Sequence, residues 1–175
     1  MIEDSRIGNY IETWMKIKFY PLDPRPEEIN LYDIGRSLSH QCRFLGHINF
    51  HYSIAQHCVL LHDYIEEPHK KQMLMHDCSE AYLCDIPSPL KPHLTNYHEL
   101  EKNLQTMIYE KYNIDVIEHP RVKECDSKII FDEITALKNY SITTPPALGV
   151  DILEWTPNKA YGEFLNRAAR YWDLS

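Results

Sequence analysis

Glycine is scarce in this chain, at five of 175 residues, while proline reaches eleven. That balance argues against a turn-rich β-sandwich and for helices punctuated at their ends. The five cysteines, Cys42, Cys58, Cys78, Cys84 and Cys125, form no C-x-x-C pair. Their odd number leaves one thiol over in any disulfide scheme, so a reducing cytoplasm is expected. Long apolar runs are missing, and Met1–Arg6 is acidic where a secretory leader would be basic, so neither membrane insertion nor export is expected. No repeat of fixed period and no low-complexity tract is found. Basic excess is absent too: 18 Lys and Arg against 26 Asp and Glu leave a formal charge of -8. Such a chain repels nucleic acid, and a small anionic ligand would need local cations of its own.

What is present is an ordinary core composition, 43% hydrophobic and 25% charged, which predicts a single all-α domain over residues 1–175. Ile29, Ile34 and Leu38 recur at helical spacing from Ile29 to His40. Ser53 with Gln56 three residues on reads as a capping box opening the helix that carries His57. The segment from about His69 to Asp85 is helical in pattern until Ile86-Pro87-Ser88-Pro89 stops it. Asn96 with Glu99 opens a helix to about Tyr112. Pro120 suits a first helical position, and Val122, Ile129, Ile130, Ile134 and Leu137 suggest a core face up to about Asn139. Thr156-Pro157 starts a last helix through Tyr171. The pieces near Lys18–Leu22 and Ile152–Trp155 read as a small hairpin or coil.

Reactive side chains gather on three of these helices. His76-Asp77, with His57 upstream and Asp126 downstream, offers two nitrogen and two oxygen ligands to one divalent ion. On a helix, neighbours point roughly 100° apart, so His76 and Asp77 share an ion only over their common edge. Glu80, three and four residues on, belongs to that face. Lys123 precedes Asp126 by three residues and should project beside it, where its charge could meet a phosphate, and Lys91 follows the proline stop near the same helix end.

A His-Asp dipeptide alone is a weak signal; the ordered string has the force. Ser53–His57, His76–Tyr82, Asp85–Lys91 and Val122–Asp126 together resemble the HD-domain phosphohydrolases. The likeness is strongest to the small phage and prophage branch similar to dATP triphosphohydrolases and bacterial 5'-deoxynucleotidases. It extends to Leu38–His47 and Ala160–Leu165, and so covers the chain from about Phe19 to Arg167. The chain departs from the pattern at Gln56, where many relatives carry Glu, and at His40, where the phage branch often has Asn. The resemblance implies an HD helical bundle with His57, His76, Asp77 and Asp126 as metal ligands and Glu80 as the catalytic acid or base. It further implies Arg43, Lys91 and Lys123 as phosphate holders, with Phe44 and Pro87 near the base.

Mixed nitrogen and oxygen ligation suits Co, Mn, Zn, Fe or Ni, with a second Mg²⁺ able to ride on the phosphates. Two substrates fit the resemblance: a deoxynucleoside triphosphate, dATP foremost, losing tripolyphosphate, or a deoxynucleoside monophosphate losing orthophosphate. The three cations favour the triphosphate. A third reading of another class is an HD module that binds metal and nucleotide without turnover, and Glu80 distinguishes it, since a binding module needs no acid beside the metal. The resemblance also implies a homo-oligomer, dimer or hexamer, in the cytoplasm, the host's if phage-encoded.

Overall fold

In the computed structural model, residues 5–138 and 147–174 are described. Near the N-terminus, Ile11–Glu12 (β1) pairs antiparallel with Lys18–Phe19 (β2), and Phe19 stacks on Tyr82 with ring centroids 4.2 Å apart. The expected extended piece at Lys18 is therefore a strand, but its partner is the preceding segment. Ile152–Trp155 forms no strand, and is tied down instead by Gln56, whose amide donates to the Leu153 carbonyl at 2.7 Å.

Helix α1 (Leu31–His40) begins two residues later than the apolar spacing suggests, because the Asn30 side chain caps it by accepting from Asp33 N at 2.8 Å. Helix α2 (Ile54–Tyr64) starts as predicted, with Ser53 Oγ accepting from Gln56 N at 3.1 Å. Apart from Leu60, its residues from Ile54 to His62 are buried, so α2 is the central helix of the bundle. Its polar residues therefore face other protein elements, and each needs a partner there.

The predicted helix from His69 to Asp85 is broken. Two short pieces, α3 (Lys70–Leu74) and α4 (Glu80–Leu83), are joined by turns in which Cys78 N bonds Met75 O and Glu80 N bonds Asp77 O. These i to i+3 bonds wind the chain more tightly than an α-helix, so His76 and Asp77 are not successive positions on a regular helix face. Helix α5 (Tyr97–Lys111) follows Asn96, whose side chain makes no capping bond. Helix α6 (Pro120–Lys138) starts at the expected proline, and Asn139, its expected end, lies outside the described residues. Its core face is Val122, Cys125, Ile129, Glu133 and Leu137; Ile130 is exposed and Ile134 half-buried, so the face is turned from the predicted one and includes a carboxylate.

Helix α7 (Pro157–Ala168) is capped by the Thr156 side chain and ends before Tyr171, in turns. It packs against α1 and α2, and approaches α1 so closely that a Cβ at Gly35 would sit 3.0 Å from the Phe164 ring. The largest core cluster joins Phe19, Ile34, Leu38, Val59, Leu74, Ile108 and Phe164 from most of the chain, and a second packs Leu61, Ile65 and Met73 on the Val122 face of α6. The fold is thus all-α around α2. No helix among the described residues is long and apolar enough to cross a membrane, and all five cysteines are free.

Candidate metal centre

Four side chains from three parts of the bundle converge on one point. His57 projects from α2, His76 and Asp77 from the tight turns after α3, and Asp126 from the second turn of α6. His57 Nε2 lies 3.1 Å from Asp126 Oδ1, 3.3 Å from His76 Nε2 and 3.7 Å from Asp77 Oδ2. His76 Nε2 is 3.3 Å from Asp77 Oδ2 and 3.5 Å from Asp126 Oδ1. Metal bonds of about 2.1 Å place neighbouring ligand atoms about 3.0 to 3.4 Å apart, close to the spacing of His57, His76 and Asp126, with Asp77 Oδ2 beside both histidines. The buried His57 with His76 and Asp126 forms a cluster able to bind a metal.

The far side of each imidazole is fixed. His76 Nδ1 donates to the Met73 carbonyl at 2.7 Å, leaving Nε2 to face the centre. Cys58 Sγ is 3.9 Å from that same Nδ1, and Cys58, His76 and Asp77 form a second group close enough to hold a metal. His57 Nδ1 meets Glu133 Oε1 at 2.7 Å. Carboxylate or carbonyl partners of this kind set the tautomer and orientation of a ligating histidine.

Charge is concentrated here. Burial alone would lower the His76 pKa, but Asp77, Cys58 and Asp126 outweigh it and hold the imidazole well above its ordinary value. Burial would raise Asp126, yet hydrogen bonds from His57 and His76 hold its carboxyl far below the usual carboxylate range. Without an ion the centre therefore favours a proton on His76.

Glu80 is 6% exposed, and its Oε2 has no hydrogen-bond partner. Burial, reinforced by Asp77 and Asp85, pushes its pKa from 4.5 up to about 9. It lies with Asp77 and Lys91 on the wall between two cavities. The larger, about 640 Å³, carries Arg43, Lys91 and Lys138 around Asp77 and Asp126, with an apolar side of Phe44, Ile86, Pro87 and Ile130. The smaller, about 460 Å³, opens toward α5.

The sequence-predicted residues thus meet at one place, apart from one. Lys123 is exposed on α6 and lines neither cavity. Lys138, at the end of α6, lines the larger one and holds its ammonium 5.0 Å from the Phe44 ring. Arg43 reaches the site from the short turn Arg43–Gly46. Its backbone N–H donates to Tyr52 O at 2.9 Å, and Phe44 (φ 56°) and Leu45 (φ 54°) are both left-handed. Such a conformation in two successive bulky residues is costly and persists only where surrounding contacts enforce it. Glu133, fully buried, was not picked out from sequence. The available signal was its place seven residues after Asp126, two helical turns on along the same face.

No family model matches the chain. A comparison with curated proteins finds YfdR of Escherichia coli K12, described as uncharacterized, 34% identical over 166 residues, covering 91% of this chain and 93% of that protein. The chain belongs to the YfdR family. An uncharacterized protein of Rhodobacter capsulatus is 27% identical over 106 residues, 55% of this chain and 54% of its own length. The similarity to YfdR covers 91% of the chain, and so spans the segments that carry the candidate metal centre.

Proposed function

We propose that the chain is a metal-dependent deoxynucleotide phosphohydrolase of the HD type, cleaving a dNTP, dATP foremost, to deoxynucleoside and tripolyphosphate. The observation that carries this reading is the meeting of His57, His76 and Asp126, with Asp77 beside them, and a buried carboxyl, Glu80, whose Oε2 has no hydrogen-bond partner among the described residues, on the wall of a cavity large enough for a nucleotide. A divalent ion of the Co, Mn, Zn, Fe or Ni class held by His57, His76, Asp77 and Asp126 would supply an acidified water and polarise a phosphoryl oxygen. A second Mg²⁺ could accompany the phosphates.

The chain's own residues account for the rest. Attack of water at the α-phosphorus breaks its bond to the 5'-oxygen, which leaves with a proton. With a pKa near 9, Glu80 carries a proton at neutral pH and can deliver it to that oxygen. Arg43 and Lys91 offset the charge that builds on the reacting phosphoryl oxygens, and Lys138 faces the outer phosphates. Ile86 and Pro87 offer the base an apolar wall.

The test is hydrolysis of dATP, dGTP and dAMP by purified protein with Co²⁺, Mn²⁺, Zn²⁺ or Mg²⁺, identifying the phosphate product. Tripolyphosphate is the expected product. Orthophosphate from dAMP alone would make it a 5'-deoxynucleotidase. Binding of metal and nucleotide without turnover would make it a non-catalytic module.

A further inference from the structure

Arg43 has a second set of contacts that a phosphate holder does not require. Its guanidinium is wedged between two carboxylates that serve different ligands of the centre. Nε lies 3.2 Å from Glu133 Oε1, and Nη2 donates to Glu133 Oε2 at 3.4 Å. Nη1 stands 3.6 Å from Asp77 Oδ2, the oxygen that faces both histidines. Glu133 in turn holds His57 Nδ1 at 2.7 Å, and neither His57 nor Glu133 is exposed at all. A wholly buried carboxylate needs a cation, and among the described residues Arg43 supplies it.

We propose that Arg43 and Glu133 are positioning residues of the metal centre, one buried ion pair that sets His57 from α2 and Asp77 from the turn after α3. As an acceptor, Glu133 takes the proton-bearing Nδ1 of His57 and leaves the Nε2 lone pair turned toward the other donors. The planar fork of Arg43 spans Glu133 and Asp77 at once, which a lysine ammonium cannot do. The backbone bond of Arg43 to Tyr52 and the left-handed Phe44 and Leu45 give this side chain its approach from outside the helices. The inference rests on the metal-binding part of the function proposed above and is independent of hydrolysis.

The experiment is a Co²⁺ titration of the full chain, read by visible absorption and by competition with a chelator, for wild type, Glu133→Gln and Arg43→Lys. Glu133→Gln is expected to bind Co²⁺ about 10- to 100-fold more weakly, with a changed absorption band, as loss of a ligand-orienting partner does. Arg43→Lys, which keeps the charge, is expected to weaken binding in the same direction. Wild-type affinity and spectrum in the variants would overturn the proposal, even if they melted at lower temperature, since that marks a role in folding alone. Should Glu133→Gln fail to fold, Arg43→Lys decides by the same criterion. Failure of the wild type to bind Co²⁺ would overturn the metal reading itself, a result distinguishable from unchanged binding in the variants.

Discussion

Glu80 and Lys91 stand 3.7 Å apart on the wall shared by the two cavities that flank the candidate metal centre. The pair is unequal, because Lys91 is drawn closer to Glu101, at 2.8 Å. Its charge is divided between two acids and does not offset the burial of Glu80. The carboxyl is thereby kept protonated where it can serve as an acid, at a cost to stability whenever it ionises.

That cost gives Glu80 a signature on both stability and rate. A carboxyl whose folded pKa is raised from 4.5 to about 9 contributes stability that is fully present below about pH 4.5 and is lost as pH rises through about 9. Glu80→Gln removes the dependence. Thermal melts of metal-free protein should show the variant gaining on wild type from about pH 5 to about pH 9, while hydrolysis falls on the order of 10²- to 10⁴-fold. Unchanged turnover would remove Glu80 from the chemistry.

Metal binding should be coupled to protons. The His76 pKa is held well above its ordinary value by Asp77, Cys58 and Asp126 against the opposing effect of burial. An entering cation must displace that proton, so apparent affinity should weaken by up to about tenfold per unit as pH falls below the His76 pKa. Calorimetry of Co²⁺ binding in buffers of different ionisation enthalpy should detect a released proton near neutrality. A chelator should lower the melting temperature and abolish turnover.

The candidate ligands were legible because each sits in a motif whose neighbours could be read with it: Gln56 before His57, Glu80 after His76-Asp77, Lys123 before Asp126. Glu133 was not. Its partner His57 is 76 residues away, and a lone glutamate in α6 reads as a solvated charge. The break between α3 and α4 escaped for a different reason. Met73, Leu74, Met75 and Cys78 are all buried, and an apolar run of that kind satisfies a tight i to i+3 turn as readily as an α-helix. Lys138 carries no motif, and a lysine in a helix's last turn already suits the helix dipole.

The rotated face of α6 can be checked directly. Ile129 is fully buried in the cluster with Leu61 and Val122, whereas Ile130 is 38% exposed and lines the larger cavity. Ile129→Ala should cost about 2–5 kcal/mol in denaturant unfolding. Ile130→Ala should cost less than about 1 kcal/mol and appear instead in KM for the nucleotide. Equal losses of stability would restore the face read from the sequence.

Ser53 links folding to the site, since it caps the helix that presents His57. Ser53→Ala removes the acceptor for Gln56 N and should lower stability by about 1 kcal/mol. His57 lies in the first turn of α2, with its own N–H bonded to Ser53 O at 3.1 Å. Fraying there displaces a ligand, so Co²⁺ affinity should fall together with the melting temperature. A stability loss with unchanged Co²⁺ affinity would show that Glu133 and the surrounding core hold His57 without the cap.

The length of the phosphate chain can be read from Lys138. Arg43 stands 3.6 Å from Asp77 and is near enough to the metal centre to serve a single phosphoryl group, whereas Lys138 approaches the Phe44 side of the same cavity from the end of α6. A monophosphate held at the centre has nothing to offer a cation further along the cavity; a triphosphate has its outer phosphates. Lys138→Ala should therefore raise KM for dATP about tenfold, the effect of losing one charge-assisted contact worth about 1.5 kcal/mol, and leave dAMP nearly unaffected. Lys123, exposed and away from both cavities, should change KM less than about twofold on substitution by alanine. Steady-state kinetics on both substrates decides the matter. A Lys138→Ala variant indifferent to dATP would turn the assignment toward the monophosphate.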